Sequence, residues 1–371
     1  MGNIALGGRT GVASVCQTDH ACLRGPTVGV RLADTADLER WQSFVDSHPD
    51  AGCMHHAGWF FVLRDAFAVR PKYLMAVDEH GAIRGILPAY LSRSWFAGNH
   101  ISSLEDGVLA NCASAAEALL AGARKLRDDS GSEYFQLRGG TADDEACWSV
   151  STVRTLIPTD RPIEALWGSV KKKTRWAIRQ NQNQLIAIEH DPTLATFNDF
   201  YLAYAARMRD LGTPVIGLRA FDAVRTRLGA ARLRLYVVRH RSRLIGGMLC
   251  IINGARWTDY FAAVRLVPEA PFANYLLYWH VIRDAASLGI SRLDLGRSSP
   301  GSGVHLFKRK WGGIDIEVPY RFYPAANARP RDMGLQGMKQ KKGLAQRLWS
   351  QLPTAAANRL GPLVRRQLPF I

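Results

Sequence analysis

The stretch Asp294–Gly313 of this 371-residue chain reads DLGRSSPGSGVHLFKRKWGG, with five glycines and two lysines, of which Lys308 directly follows Phe307 in a basic run closed by Trp311. Glycines let backbone approach a ligand closely. Flanking aromatics can pack the stem of a lysine and hold its ammonium in one place. The run GRSSPGSG offers backbone N–H groups and hydroxyls at Gly296, Ser298, Gly301, Ser302 and Gly303, and Arg297 adds a charge. Such a nest suits a phosphate, a carboxylate or a developing oxyanion. The plain alternative is a flexible surface loop in which Lys308, Arg309 and Lys310 face water. Two groups here could carry a proton, Asp294 at the loop mouth and His305 within it. Asp294 equally suits capping of the loop, and a substrate carboxylate or phosphate could accept the proton instead.

A second cationic cluster lies at residues 169–184, SVKKKTRWAIRQNQNQ. Lys171, Lys172, Lys173, Arg175 and Arg179 surround Trp176 and Ile178. A basic run is ordinarily a solvated helix face. Interrupted by apolar residues, this one reads as a docked segment with cations held toward phosphates. Residues 1–165 hold 15 Lys+Arg and 20 Asp+Glu, whereas residues 166–371 hold 33 and 12. The net charges, −5 and +21, place the whole positive field in one half of a chain of formal charge +16. Such a field attracts phosphates, nucleic acid or an anionic membrane.

Composition bounds the rest. Hydrophobic residues at 47% and charged residues at 22% fit a folded chain, and the length suggests two domains. No apolar run approaches the roughly 18 residues of a membrane span. The longest, LIGGMLCII (Leu244–Ile252), suits a buried strand. Residues 1–27 read as a flexible leader without an apolar secretory segment, and Leu6 stands where a myristoylation signal has Ser or Thr. The six cysteines show no CxxC spacing, which favours reduced thiols in the cytosol. Cys53, His55 and His56 cluster in CMHH, but adjacent histidines diverge and no second ligand pair follows; we expect no metal.

The elements around the loop repeat an order. In the first half, DLERWQSFVDSHP is a helix starting at a candidate Asp37 cap, GWFFVLRDAF a short helix, and KYLMAVDEHGAIRGILPAYLS two strands about a turn at His80-Gly81. ASAAEALLAGARKLRDDSG is a helix ended by Gly131, and EYFQLRG a strand. In the second half, TFNDFYLAYAARMRDLG and FDAVRTRLGA are helices. RLRLYVVRHRSRLIGGMLCIING is a strand pair, WTDYFAAVR a strand, ANYLLYWHVIRDAASLG a helix, and SRLDLG the strand that feeds the glycine loop. No repeat is visible residue by residue. This order is that of a GNAT-type acyltransferase, and it predicts an α/β (α+β) protein of two tandem GNAT-like domains, each with a central mixed sheet. The domains would span residues 28–165 and 166–325. Residues 326–371 would form a basic amphipathic helical tail, either packed back on the domain or lying on an anionic membrane surface.

MRDLGTPV (Met208–Val215), NYLLYWHVIRDA (Asn274–Ala285) and DLGRSSPGSGVHLFKRKWG (Asp294–Gly312), in that order, resemble FemAB-related proteins of the exosortase, PEP-CTERM type. KKKTRWAIRQ resembles that family's basic segment. The resemblance covers roughly residues 30–325. It implies a relationship to the Fem-type peptidoglycan aminoacyltransferases, a cleft between two GNAT-like domains, and transfer of an acyl group to an amine. The family lysine falls at Lys308, which would stabilise the oxyanion. Asn274, Tyr275, Phe307 and Trp311, from the shared motifs, join the loop residues and Lys173, Arg175 and Arg179 as expected substrate contacts. Acyl-CoA or aminoacyl-tRNA would serve as co-substrate, with no permanently bound cofactor. The GNAT coenzyme A signature Q/R-x-x-G-x-G/A is not seen before the YLLYW helix, which argues against ordinary acetyl-CoA binding.

The implied acceptor is a phosphorylated or saccharide precursor of the cell envelope, peptidoglycan or exopolysaccharide. Charged tRNA and an anionic membrane surface are further candidate partners, and the implied location is cytoplasmic, at the inner face of the membrane. The chain departs from the family pattern at His305, where a tyrosine is usual, in PEAPFAN before the YLLYW helix, and in SSLEDGVLANC, in the part expected to shape the acceptor pocket. The rival readings are an acyl-CoA-dependent acetyltransferase and a non-catalytic protein that binds tRNA, another anion or a membrane.

Overall fold

A computed structural model describes residues 28–95, 97–140, 148–180, 186–190, 193–326, 328, 343 and 345–367. The expected leader, Cys16, Cys22 and Cys147 lie outside the described residues. The strands form three sheets of four, seven and six strands. In the seven-stranded sheet, Leu233–His240, Arg243–Asn253 and Arg256–Val264 run antiparallel, and Arg256–Val264 then pairs in parallel with Arg292–Ser298. The crossover between the parallel strands is the helix Ala273–Ser287. The first half repeats this device. Gly98–Ser103 pairs in parallel with Tyr134–Arg138, and the helix Ala113–Asp129 lies between them in sequence. Each half is thus α/β, with a mixed sheet closed by one parallel pair, as the element order predicts.

Two strands cross the boundary at residue 165. Val153–Pro158 lies between Arg292–Ser298 and Ile314–Glu317 in the seven-stranded sheet, and Tyr320–Pro324 returns to pair with Tyr134–Arg138 in the first half. The exchange ties the halves together through backbone hydrogen bonds. An apolar core continues across the same seam. It runs from Trp41, Trp59 and Tyr73 to Phe200, Phe221 and Phe261. Burying each such side chain contributes about 1.5–3 kcal/mol, so the two halves form one rigid frame around whatever lies between them.

Local details follow the chemistry of the side chains. Asp37 precedes the helix Leu38–Ser47 but makes no cap bond to it; its carboxylate instead accepts two bonds from Arg31, at 2.6 and 2.5 Å. The arginine offers two charged donors where the helix end offers single neutral ones. The turn after Leu74–Val77 is organised by Asp78, whose Oδ1 accepts from the backbone of His80 and Ala82 at 3.0 and 2.8 Å. CMHH is a structural turn. Trp41 and Trp59 donate their indole N–H groups to the His55 and Cys53 carbonyls, and His55 Nδ1 accepts from Gly52 N at 2.9 Å. That bond leaves the ring proton on Nε2, which donates to Gly107 O at 3.2 Å. Burial lowers the His55 pKa and keeps the ring neutral. No group of side chains suited to a metal occurs among the described residues.

The basic tail folds back. The helix Thr354–Gln367 packs on both the helix Leu194–Asp210 and the first-half strand Ala89–Ser94, so it bridges the two halves. Ser94 Oγ donates to Gln367 O, and Trp95 N donates to Gln367 Oε1 at 3.0 Å. A Cβ at Gly361 would sit 3.0 Å from the Val215 backbone. Gly361→Leu is therefore expected to lift the helix from its seat. Limited proteolysis reads this as early cleavage after residue 343, with the rest of the chain protected as in the wild type; unchanged cleavage would show that the seat tolerates bulk. No described helix is long and apolar enough to cross a membrane.

Candidate functional site

The parallel strands Arg256–Val264 and Arg292–Ser298 stay paired only as far as Thr258 and Asp294. Beyond that rung they part, and Lys308 fills the fork from the short helix Gly303–Lys308. Gly296 makes the fork passable. Its φ of 72° favours glycine, and its missing side chain leaves room beside Asp259 O and Lys308 Nζ. Lys308 is 6% exposed, and its ammonium donates to the carbonyls of Gly296 at 2.9 Å and Arg297 at 3.0 Å. An ammonium has three donors. The third has no protein acceptor among the described residues and is available to the cavity that Lys308 lines. Burial lowers the Lys308 pKa, and Asp259 and Asp294 oppose that shift.

That cavity measures about 330 Å³ and opens between the halves. Cys53, Met54, Glu105 and Arg154 wall one side; Thr258–Ala262, Tyr278, Asp294–Arg297 and Lys308 wall the other; Arg365 of the C-terminal helix reaches in as well. Two carboxylates flank the lysine. Burial pushes Asp259 up to about 6 against the pull of Lys308, and the Tyr278 hydroxyl donates to its Oδ2 at 2.9 Å. Burial raises Asp294 to about 6 as well. Asp294 is otherwise occupied: Oδ1 accepts from Gly296 N at 2.7 Å, and Oδ2 lies 3.3 Å from Arg154 Nε.

Two of the cavity arginines, Arg154 and Arg297, are paired with carboxylates. Arg154 donates to Asp106 Oδ1 at 3.0 Å, and Asp106 Oδ2 accepts from Met54 N. Arg297 Nε donates to Glu105 Oε1 at 2.9 Å and stacks its guanidinium 5.0 Å from the Tyr320 ring. Burial works against ionised Glu105 and Asp106, but the arginines outweigh it and hold both below the ordinary carboxylate range.

Of the residues expected to act in catalysis or substrate binding, Lys308, Asp294, Gly296 and Arg297 meet at the cavity. The other expected catalytic and binding residues stand apart from its walls. His305 has both ring nitrogens engaged: Nδ1 accepts from Gly301 N at 3.0 Å and Nε2 bonds Asp315 Oδ2 at 2.8 Å. It ties the loop to the strand Ile314–Glu317. Ser302 caps the helix Gly303–Lys308, accepting from His305 N, and Ser298 is buried in its strand. Gly301 and Gly303 belong to the turn around that cap. Phe307 and Trp311 pack against Tyr278, at 5.0 and 5.6 Å, and build the wall behind it. Tyr275 accepts from Lys310 Nζ at 3.1 Å, and Asn274 lies in the first turn of the same helix.

The basic segment forms the helix Lys172–Gln180, packed on Ala273–Ser287. Lys173 is exposed, Arg175 donates to Trp167 O, and Arg179 stacks over the Trp167 ring. None of these lines the cavity. Asp259, Tyr278, Glu105, Arg154 and Arg365 also line the cavity, and sequence reasoning did not single them out. Asp259 did leave a trace as the one carboxylate in the apolar strand WTDYFAAVR, and Glu105 falls in SSLEDG, where the chain departs from the pattern it otherwise resembles.

Residues 168–309 match the family model of the acetyltransferase (GNAT) domain. The fork, Asp259 and Lys308 all lie in that GNAT segment, so the chain carries an acyltransferase-type domain, and the first half doubles its plan. The solved structures agree at the level of fold. FemX aligns at a TM-score of 0.60 and 12% identity, over 80% of this chain and 97% of its own. The C-terminal domain of a provisionally assigned lysylphosphatidylglycerol synthetase from Agrobacterium fabrum aligns at 0.57 and 11%, over 83% and 97%. A tandem GNAT protein from the clavulanic acid biosynthesis pathway aligns at 0.50 and 12%, over 81% and 98%. A comparison with curated proteins gives no match.

Proposed function

We propose that the protein is an N-acyltransferase that joins an activated acyl or aminoacyl group to an amine on a cell-envelope precursor of the peptidoglycan or exopolysaccharide type. The observation that carries the reading is the third N–H of Lys308, held at the strand fork by two carbonyls and facing a cavity. An amine attacks the donor carbonyl carbon, and charge builds on the carbonyl oxygen. Lys308 stabilises that charge without having to move, because its other donors are already fixed. Asp259, ionised above about pH 6, takes the proton that the attacking nitrogen loses. As the carbon–sulfur or carbon–oxygen bond of the donor breaks, Asp259 returns the proton to the departing thiolate or alkoxide. Tyr278 holds the carboxylate in register. The donor is acyl-CoA or an aminoacyl-tRNA, and the transfer takes place at the cytoplasmic face of the membrane.

The test supplies the full-length protein with acyl-CoA or charged tRNA and an amine-bearing, phosphorylated envelope saccharide, and follows the amide by mass. Amide formation with one donor is the expected result; none with either donor overturns the reading. The basic helix gives a separate expectation. Changing Lys171, Lys172 and Lys173 together to Glu should raise KM for a phosphate-bearing substrate and flatten its salt dependence, because exposed cations act through a screened field. A KM unchanged at low and high salt rejects a role for this helix.

A further inference from the structure

The cavity contains a cation that the acyl-transfer reading does not use. Arg365 lines it from the C-terminal helix, as do Tyr204 and Tyr260, whose hydroxyls are among its electrostatic neighbours. The other two cavity arginines have carboxylate partners, Arg154 with Asp106 and Asp294, and Arg297 with Glu105. Arg365 forms no ion pair among the described residues, and Arg297 is a like charge nearby. Burial accordingly lowers its pKa. Arg365 is half-buried, and a guanidinium partly withdrawn from water without a counter-charge carries a cost, yet the helix that delivers it is fastened at Gly361, Pro362 and Gln367 to both halves. The same helix has an arginine facing solvent, Arg359, so its register could have left residue 365 outside.

We infer that Arg365 is the anion-recognition residue of the cavity, and that the C-terminal helix completes the binding site for a substrate bearing a carboxylate or phosphate group. The planar fork of an arginine matches either oxyanion with two parallel hydrogen bonds. The ligand's charge supplies the missing partner, and a neutral analogue leaves the half-buried guanidinium without one. This rests on the proposed acyl transfer for the identity of the cavity, and it adds the chemical class of the molecule recognised there.

Calorimetric titration of the full-length protein separates the sources of the anion. Pyrophosphate and glutarate serve as phosphate and carboxylate probes, against the wild type, Arg365→Met, Arg365→Lys and, as control, Arg359→Met. One probe should bind with one-to-one stoichiometry. Its Kd should rise about tenfold or more in Arg365→Met, the size expected for losing a charged hydrogen-bonded contact. Arg365→Lys should recover part of the loss, and Arg359→Met none of the effect. Thermal melts of the variants confirm that the helix stays seated. Equal binding in all four proteins, or equal loss in Arg359→Met, overturns the inference. Because the readout is binding, it is independent of turnover. Arg365-dependent binding without amide formation would defeat the acyl-transfer reading alone; amide formation with Arg365-independent binding would defeat this inference alone.

Discussion

Replacing Lys308 with Met should lower turnover by roughly 10²–10³ and leave substrate affinity nearly unchanged. Methionine preserves the packed stem and removes the ammonium. The interaction lost is the one between the third N–H and the developing oxyanion, which exists only in the transition state, so it appears in kcat and not in KM. The substitution also leaves the carbonyls of Gly296 and Arg297 without their donor. Relaxation at the fork is therefore a competing explanation, and a thermal melt on the same sample addresses it. The control is Arg309→Met. Arg309 is exposed and leans on Asp315 at 3.5 Å, outside the cavity, so its loss should cost little. Equal losses in the two variants would mean that only bulk positive charge matters. A fully active Lys308→Met protein would remove the lysine from the mechanism.

Asp259→Asn should affect activity and stability in opposite directions. If Asp259 takes the proton, turnover falls by about 10²–10⁴, the usual range for a general base. The rise of rate with pH whose midpoint lies near 6 should vanish with it. The sign of the stability effect follows from linkage. The folded-state pKa, about 6, lies above the ordinary value of 3.8. The protonated group therefore stabilises the fold fully below about pH 3.8, and that contribution is lost as pH rises through 6. At pH 7 the ionised carboxylate is a burial penalty. Asn removes the charge and can still accept from Tyr278, although Lys308 then loses an attractive neighbour. The net gain in stability at pH 7 is on the order of 1–2 kcal/mol and should fade toward pH 4. An active Asp259→Asn enzyme, or one that is inactive because it melts earlier, would refute the assignment.

How much of this was legible depended on sequence distance. The halves of the fold could be read because helix and strand periods, the glycine stops at Gly131, Gly212 and Gly289, and the turn at His80-Gly81 are local properties of consecutive residues. Lys308 could be read for the same reason: it sits in a motif with Phe307 and Trp311 on either side. The motif did not say which way its members face. His305 looks like a proton carrier in the string, but the fold turns it onto Asp315. Phe307 and Trp311 look like contacts, but the packing of Tyr278 turns them into a wall.

The charged lining of the cavity lay beyond local reading. Arg154 with Asp106, Arg297 with Glu105 and Tyr278 with Asp259 join residues from separate elements, and a carboxylate's pKa depends on burial that no window of sequence contains. Strands Val153–Pro158 and Tyr320–Pro324 are short and each completes a sheet of the opposite half, so their own periodicity did not place them. The C-terminal helix makes the same point. Its basic, amphipathic pattern was compatible with packing or with a membrane surface. The sequence by itself determined the acyltransferase plan and the lysine at its fork; only the tertiary structure decided which side chains surround that lysine, because the groups that set its electrostatics come from elements up to two hundred residues apart.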